Sequence, residues 1–173
     1  MVDLQRYIRD IPDFPKPGIM FKDITPLLAD SVAFHATVDR FVERYRGRAD
    51  VVLGIESRGF IIGSAVAYGL GTGLAVVRKP GKLPHQTYAA RYELEYGSDA
   101  LEIHHDAVGA GNRVVVIDDL LATGGTASAA VALVDRCGGQ VIGCAFVIEL
   151  AFLNGRTRLD GHEVFSLIRY DGP

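Results

Sequence analysis

Apolar residues recur at helical spacing at Phe34, Val38, Phe41, Val42 and Tyr45, which predicts an amphipathic helix capped by Ser31 and ended near Gly47. The pattern then changes. Val51-Val52-Leu53-Gly54-Ile55 is apolar without alternation, the polar turn Glu56-Ser57-Arg58-Gly59 follows, residues 60–68 form an apolar helix, and 74–77 are apolar again. Strand, helix and strand in this order predict a βαβ unit, and therefore a parallel sheet. A second unit reads as a strand at 113–117, a Gly/Thr turn, a helix at 126–137 and a strand at 140–148. Strands apolar on both faces belong in a sheet covered by helices. The expected fold is thus α/β, with a central, mostly parallel sheet flanked by helices in a single domain over residues 1–173.

Two segments stand outside this pattern. Residues 1–30 begin with a short helical stretch, 4–9, and then pass through Pro12, Pro15, Pro17 and Gly18, which forbid regular helix and predict an ordered loop or small flap. Residues 78–105 connect the two units with Arg78, Lys79, Lys82 and Pro84 and then an alternating run from Tyr88 to Tyr96. A connection this long inside a compact domain is usually functional or mobile, and this one reads as a hairpin and as the least ordered part of the molecule.

Composition narrows the function classes. The chain has 173 residues, 49% of them hydrophobic, and 18 Lys+Arg stand against 21 Asp+Glu for a formal charge of −3. No global field attracts nucleic acid or anionic lipid, so an anion must be held by a local site. Cys137 and Cys144 are too few for a disulfide framework and lack zinc-site spacing, and they read as buried reduced thiols. The first residues carry Asp3, Arg6, Arg9 and Asp10 and form no signal-peptide core, and no apolar run approaches the roughly 18 residues of a membrane span. The expected compartment is the cytoplasm. The five histidines form no metal constellation, His104-His105 reads as surface, and Arg156 and Arg158 read as solvated or interface charges.

The most informative stretch is Val114-Val115-Val116-Ile117-Asp118-Asp119-Leu120-Leu121-Ala122-Thr123-Gly124-Gly125-Thr126. It predicts a buried strand ending in two carboxylates, then a small-residue turn opening a helix. Ligands of open α/β sheets bind beyond the carboxyl ends of the strands, where this turn must lie. Gly124 and Gly125 let main-chain N–H groups approach a phosphate, Thr123 and Thr126 add hydroxyl donors, and the helix N-terminus adds partial positive charge. The Gly-Lys-Ser/Thr ending of a Walker loop is absent. Carboxylates repel phosphates but suit the vicinal hydroxyls of a ribose, so the run as a whole describes a site for a ribose phosphate. Taken singly, Asp119 could cap a helix and the glycines could make a tight turn.

This run, Val114 to Ser128, resembles the ribose-phosphate signature of the type I phosphoribosyltransferases. Further stretches resemble the members of that family that act on adenine: Pro12-Asp13-Phe14-Pro15-Lys16-Pro17-Gly18-Ile19, Asp23-Ile24-Thr25-Pro26-Leu27-Leu28, Glu56-Ser57-Arg58-Gly59-Phe60, Arg78-Lys79-Pro80-Gly81-Lys82-Leu83-Pro84, Leu94-Glu95-Tyr96-Gly97, Gly155-Arg156 and Ser166-Leu167. The resemblance implies the type I fold, with residues 1–30 as a small N-terminal hood that recognises the base and 78–98 as a flexible catalytic loop. It implies purine salvage, in which a purine ring nitrogen displaces pyrophosphate from phosphoribosyl pyrophosphate and, with adenine, gives AMP.

The resemblance also distributes roles. Asp118 and Asp119 would hold the ribose, and Leu121, Ala122, Thr123, Gly124, Gly125 and Thr126 its phosphate. Arg58, Arg78, Lys79 and Lys82 would meet the leaving pyrophosphate, with a non-proline cis peptide expected at Glu56-Ser57 and a partner subunit as a possible source of the lysines. Met20, Phe21 and Lys22 would read the base, main chain pairing with adenine's amine and ring nitrogen while Phe21 stacks on it. Many relatives carry arginine where Lys22 stands, and a lysine there could donate to a 6-oxopurine, so hypoxanthine, guanine or xanthine remains the alternative base. Glu95, Arg58 and Tyr96 form the catalytic set, Glu95 moving the purine proton and Tyr96 covering the site. Magnesium is expected as a counterion held mainly by substrate and water rather than by a dedicated protein cage, and a homodimer is expected. A non-catalytic sensor of phosphoribosyl pyrophosphate is the other reading, although such regulators usually append a basic DNA-binding module.

Overall fold

The structure, a computed structural model, describes residues 2–94 and 97–172. A 3-10 turn at Leu4–Tyr7 is followed by β1 (Arg9–Pro12) and β2 (Met20–Asp23), which pair antiparallel, so the proline-rich segment is a hairpin rather than a loop and the expected helix at 4–9 stops short. Proline is tolerated here because Pro12 ends an edge strand and Pro15 and Pro17 lie in the connection. After α1 (Thr25–Ala29) comes α2 (Ser31–Tyr45), whose cap is Asp30 and not Ser31, since the Asp30 carboxylate accepts the Ala33 N–H at 2.8 Å.

The first βαβ unit is β3 (Val51–Ile55), α3 (Arg58–Leu70) and β4 (Gly73–Val77). The excursion is an antiparallel hairpin of β5 (Thr87–Leu94) and β6 (Gly97–His104), fastened to the sheet where the Arg78 and Glu102 main chains exchange N–H···O bonds at 3.0 and 2.7 Å. The second unit is β7 (Arg113–Leu121), α4 (Gly125–Arg136) and β8 (Gln140–Leu150). A last strand, β9 (Val164–Tyr170), is absent from the sequence expectation.

The main sheet is parallel with order β4-β3-β7-β8-β9. Val114 and Val116 face one core, with α4 and the β5–β6 hairpin, while Val115 and Ile117 face the other, with α2, α3 and the N-terminal segment. This two-faced burial is why β3 and β7 read as unbroken apolar runs. The chain leaves β3 for β4 on one side and returns to β7 on the other, so the order reverses between β3 and β7 and opens a crevice at their carboxyl ends. Cys144 is buried and Cys137 half-buried, both as free thiols.

Candidate active site

A cleft of about 360 Å³ occupies that crevice, within the range of small-ligand sites. Glu56, Ser57 and Arg58 line it from the end of β3, Lys79 from beyond β4, Tyr92 from β5, and every residue from Asp118 to Ala127 from the β7–α4 segment. The strand extends further than expected. β7 pairs with β3 only as far as Ile117 but with β8 as far as Leu121, so Asp118 and Asp119 lie within the strand but past its last pairing with β3. Glycine makes this approach possible: a Cβ on Gly59 would stand 2.8 Å from the Ile117 carbonyl and 2.9 Å from an Asp118 carboxylate oxygen.

The turn follows directly. Gly124 caps α4 in the left-handed region at φ +82, and the Ser128 N–H already bonds the Gly124 carbonyl. The first amides of α4, from Gly125 onward, have no partner inside the helix and lie along the cleft wall. This is the geometry of an anion cradle.

The charges in the cleft are held in pairs. Arg58 Nε donates to Asp119 Oδ2 at 2.5 Å, Asp119 being 5% exposed, and the guanidinium lies 5.2 Å from the centre of the Phe21 ring. Enclosure and the adjacent Asp119 carboxylate raise the pKa of Asp118 well above the usual carboxylate range. Glu56, joined to Ser57 by a cis peptide, accepts from Lys82 Nζ at 2.6 Å, Arg78 Nη2 at 3.1 Å and the Lys79 N–H at 2.9 Å. Burial acts to raise its pKa, but these hydrogen bonds outweigh it and hold the carboxyl at about 2. Lys79 Nζ reaches Asp99 at 3.0 Å. Each of the four cations expected at the pyrophosphate is thus paired with a carboxylate, Arg58 and Lys79 on the cleft wall and Arg78 and Lys82 gathered behind it by Glu56.

Met20, Phe21 and Lys22, expected to read the base, are not among the residues lining the cleft, and Phe21 is joined to it through Arg58. Phe21 meets Phe14 edge-on at 5.1 Å and stands under Arg58. Lys22 is turned away: it is 7% exposed, its ammonium lies 2.9 Å from Asp10 and 4.3 Å from the centre of the Tyr170 ring. A lysine already engaged by a carboxylate and an aromatic face is poorly placed to donate to a 6-oxo group. Glu95 and Tyr96 lie outside the described residues.

The sequence reading missed three features. Glu56 was read as part of a polar turn, yet it collects the cations; the signal was its position directly after a buried strand. Tyr92, half-buried beside Thr126 and Asp99, has its pKa raised chiefly by burial. Arg156 is exposed, as expected of a solvated charge, but it also forks onto the buried Glu149 carboxylate with two bonds of 2.6 Å. His104-His105 lies at the surface as expected, the exposed His105 stacking on Tyr88 at 3.9 Å and the half-buried His104 accepting the His85 N–H through Nε2 at 3.2 Å. Among the described residues no three His, Cys, Asp or Glu side chains converge as a metal cluster.

Comparison with known proteins gives the same architecture a family. The model of the phosphoribosyl transferase domain matches residues 26–167. The adenine phosphoribosyltransferase of Syntrophotalea carbinolica is 58% identical over 171 residues, covering 98% of this chain and 100% of that protein. The crystal structure of adenine phosphoribosyltransferase from Thermoanaerobacter pseudethanolicus superposes with a TM-score of 0.94 at 51% identity, covering 97% of this chain and 98% of that one. The Saccharomyces cerevisiae enzyme, solved with an imino-altritol bisphosphate and adenine, superposes at 0.91 with 40% identity over 95% and 96% of the two chains. With the acidic pair, the anion cradle and the arginine-bearing turn on the same crevice, the chain belongs to the phosphoribosyltransferase family.

Proposed function

We propose that this chain salvages adenine, transferring the phosphoribosyl group of phosphoribosyl pyrophosphate to it and releasing AMP and pyrophosphate. The observation that carries the reading is the β7–α4 segment: two carboxylates for sugar hydroxyls, then within a few residues an amide cradle for a phosphate, in a chain 58% identical to an adenine phosphoribosyltransferase.

In the reaction the bond from the anomeric carbon to pyrophosphate breaks, a bond to the purine nitrogen forms, and the purine gives up one proton. The transition state is oxocarbenium-like, so the protein's work is positioning, charge stabilisation and exclusion of water. The amides and hydroxyls of residues 121–126 fix the 5-phosphate. Asp118 and Asp119 hold the ribose hydroxyls; burial first and the Asp119 carboxylate second raise the pKa of Asp118, and positive charge developing on the sugar favours its ionised form. Arg58 grips the departing pyrophosphate with a planar fork of donors. Arg78, Lys79 and Lys82 join it by exchanging their carboxylate partners for phosphate oxygens. Main-chain groups at Met20 to Lys22 read the amine edge of adenine, with Phe21 against the ring, and Glu95 takes the purine proton under the cover of Tyr96.

Magnesium fits the cleft as a counterion held mainly by substrate oxygens and water, with the Asp118–Asp119 pair the hard oxygens on the cleft wall beside it. When bound, it neutralises charge on pyrophosphate. Exposed apolar residues Ile61 and Tyr68, seven apart on α3, and Leu74 on the edge strand β4 suit a second copy of this chain, and a homodimer is the assembly we infer. No helix among the described residues is long and apolar enough to cross a membrane, and the charged, water-soluble substrates suit a cytoplasmic enzyme.

The test is pyrophosphate release from phosphoribosyl pyrophosphate with adenine, hypoxanthine, guanine and xanthine. Turnover with adenine alone is expected. Preference for a 6-oxopurine would move the assignment to the other purine enzymes, and binding without turnover of any base would make the chain a sensor.

A further inference from the structure

The strongest polar network outside the cleft lies at the carboxyl end of β8. Glu149 is 2% exposed, and Arg156 Nε and Nη2 donate to its two oxygens at 2.6 Å each. Ser166 Oγ donates to the same carboxylate at 2.7 Å, and Arg156 Nη1 donates to the Val164 carbonyl at 3.0 Å. Arg156 is thereby tied to β8 and β9 at once. Its chain neighbour is Gly155, which has nothing but backbone between itself and the phosphate turn: a Cβ on Gly155 would stand 2.2 Å from the Ala122 carbonyl, and one on Gly124 would stand 2.3 Å from the Gly155 carbonyl.

We infer that Arg156, clamped by Glu149 and Ser166, is a positioning residue for the 5-phosphate: it holds the Gly155 backbone at the height that sets the Ala122–Gly124 turn. This rests on the assignment of residues 121–126 as the phosphate cradle. The physical reason is that two main chains in contact transmit displacement directly, with no side chain to absorb it. The pair is half-buried, with Glu149 enclosed and Arg156 reaching it from the exposed side, and it is a strict geometric constraint because the guanidinium fork satisfies both carboxylate oxygens in only one plane. The clamp touches neither the base-reading hairpin nor the cations gathered by Glu56, so its influence is directed at one end of the substrate.

Arg156→Lys keeps a positive charge opposite Glu149 but loses the fork, and Ser166→Ala removes one bond and leaves the ion pair. Calorimetric titration with ribose 5-phosphate reads the cradle directly, and steady-state kinetics read both substrates. For Arg156→Lys the dissociation constant of ribose 5-phosphate and the KM for phosphoribosyl pyrophosphate should rise roughly tenfold or more, the scale of a small misplacement transmitted from a distance, while the KM for adenine stays unchanged. Ser166→Ala should shift the same two quantities, by less, and decides the matter alone if the lysine variant does not fold. Equal changes in both KM values, or unaltered ribose 5-phosphate affinity in a folded variant, would overturn the clamp while leaving the enzyme intact. Failure of the wild-type protein to bind ribose 5-phosphate would remove the cradle assignment and the clamp with it.

Discussion

Arg58 is the residue on which the cleft's electrostatics turn, since it pairs with the nearly buried Asp119 and stands over Phe21. Arg58→Ala deletes a donor aimed at developing negative charge and leaves Asp119 without its partner. A loss of about 10²- to 10³-fold in kcat/KM for phosphoribosyl pyrophosphate is expected in steady-state assays, the scale of removing one oxyanion donor; a change of only a few fold would place the pyrophosphate elsewhere. Glu95→Gln tests the proton acceptor named by family resemblance: it should lower turnover by roughly 10²-fold or more, the scale of general acid–base catalysis, with little change in substrate affinity. Equal turnover would take Glu95 out of the mechanism. Arg58 was singled out by its place after a strand end beside Gly59, whereas the role expected of Glu95 came from family resemblance alone. Glu56 and Arg156 could be found in neither way, because what matters about them is the partner each finds across the fold, at residues 78–82 for one and at Glu149 for the other.

Among the elements, the β7–turn–α4 segment was the most legible. The eight apolar or acidic residues from Val114 to Leu121, a pair of glycines and a helix start leave few alternatives, and the observed helix begins at Gly125, one residue before the expected start. Its length as a strand was not legible, since only pairing with β8 carries β7 through Asp118 and Asp119 to Leu121. Gly124→Ala tests the turn: the new methyl would meet the Gly155 carbonyl, and the left-handed backbone there disfavours any side chain. A lower melting temperature together with loss of ribose 5-phosphate affinity is expected by calorimetry, and full affinity in the variant would show that the turn is not the cradle. β9 escaped the sequence reading for a different reason. It is an edge strand whose residues are nearly all half-buried, so it shows neither the alternation of a one-faced strand nor the unbroken apolar run of a central one. The β1–β2 hairpin was obscured by its own prolines.

The whole molecule adds properties that no element holds alone. Glu56 is held at about 2 against an ordinary 4.5, and Asp50, bonded by the Arg113 side chain and N–H, at about 2 against an ordinary 3.8. A carboxyl whose pKa is depressed by folding contributes stability above its unfolded value and loses it as pH falls towards its folded one. Melting temperature should therefore decline as pH falls from about 4.5 to about 2, and Glu56→Gln should flatten that decline; an unchanged slope would separate the Glu56 cluster from stability. The exposed stripe of Ile61, Tyr68 and Leu74 sets the last expectation. Sedimentation should give a dimer, and Tyr68→Glu should shift it towards monomer, whereas an unaltered dimer would move the interface to another face. The sequence by itself determined the α/β class, the two βαβ units and the place of the acidic pair and glycine turn between a strand and a helix, because hydrophobic period, glycine placement and acidic residues act within a few positions of one another. Only the tertiary structure decided that Arg58 faces Asp119, that Glu56 gathers the cations, that Lys22 turns to Asp10 and Tyr170, and that Gly155 lies against the phosphate turn. Those contacts join residues remote in the chain, and their energies depend on burial and orientation, which exist only once the sheet has been assembled.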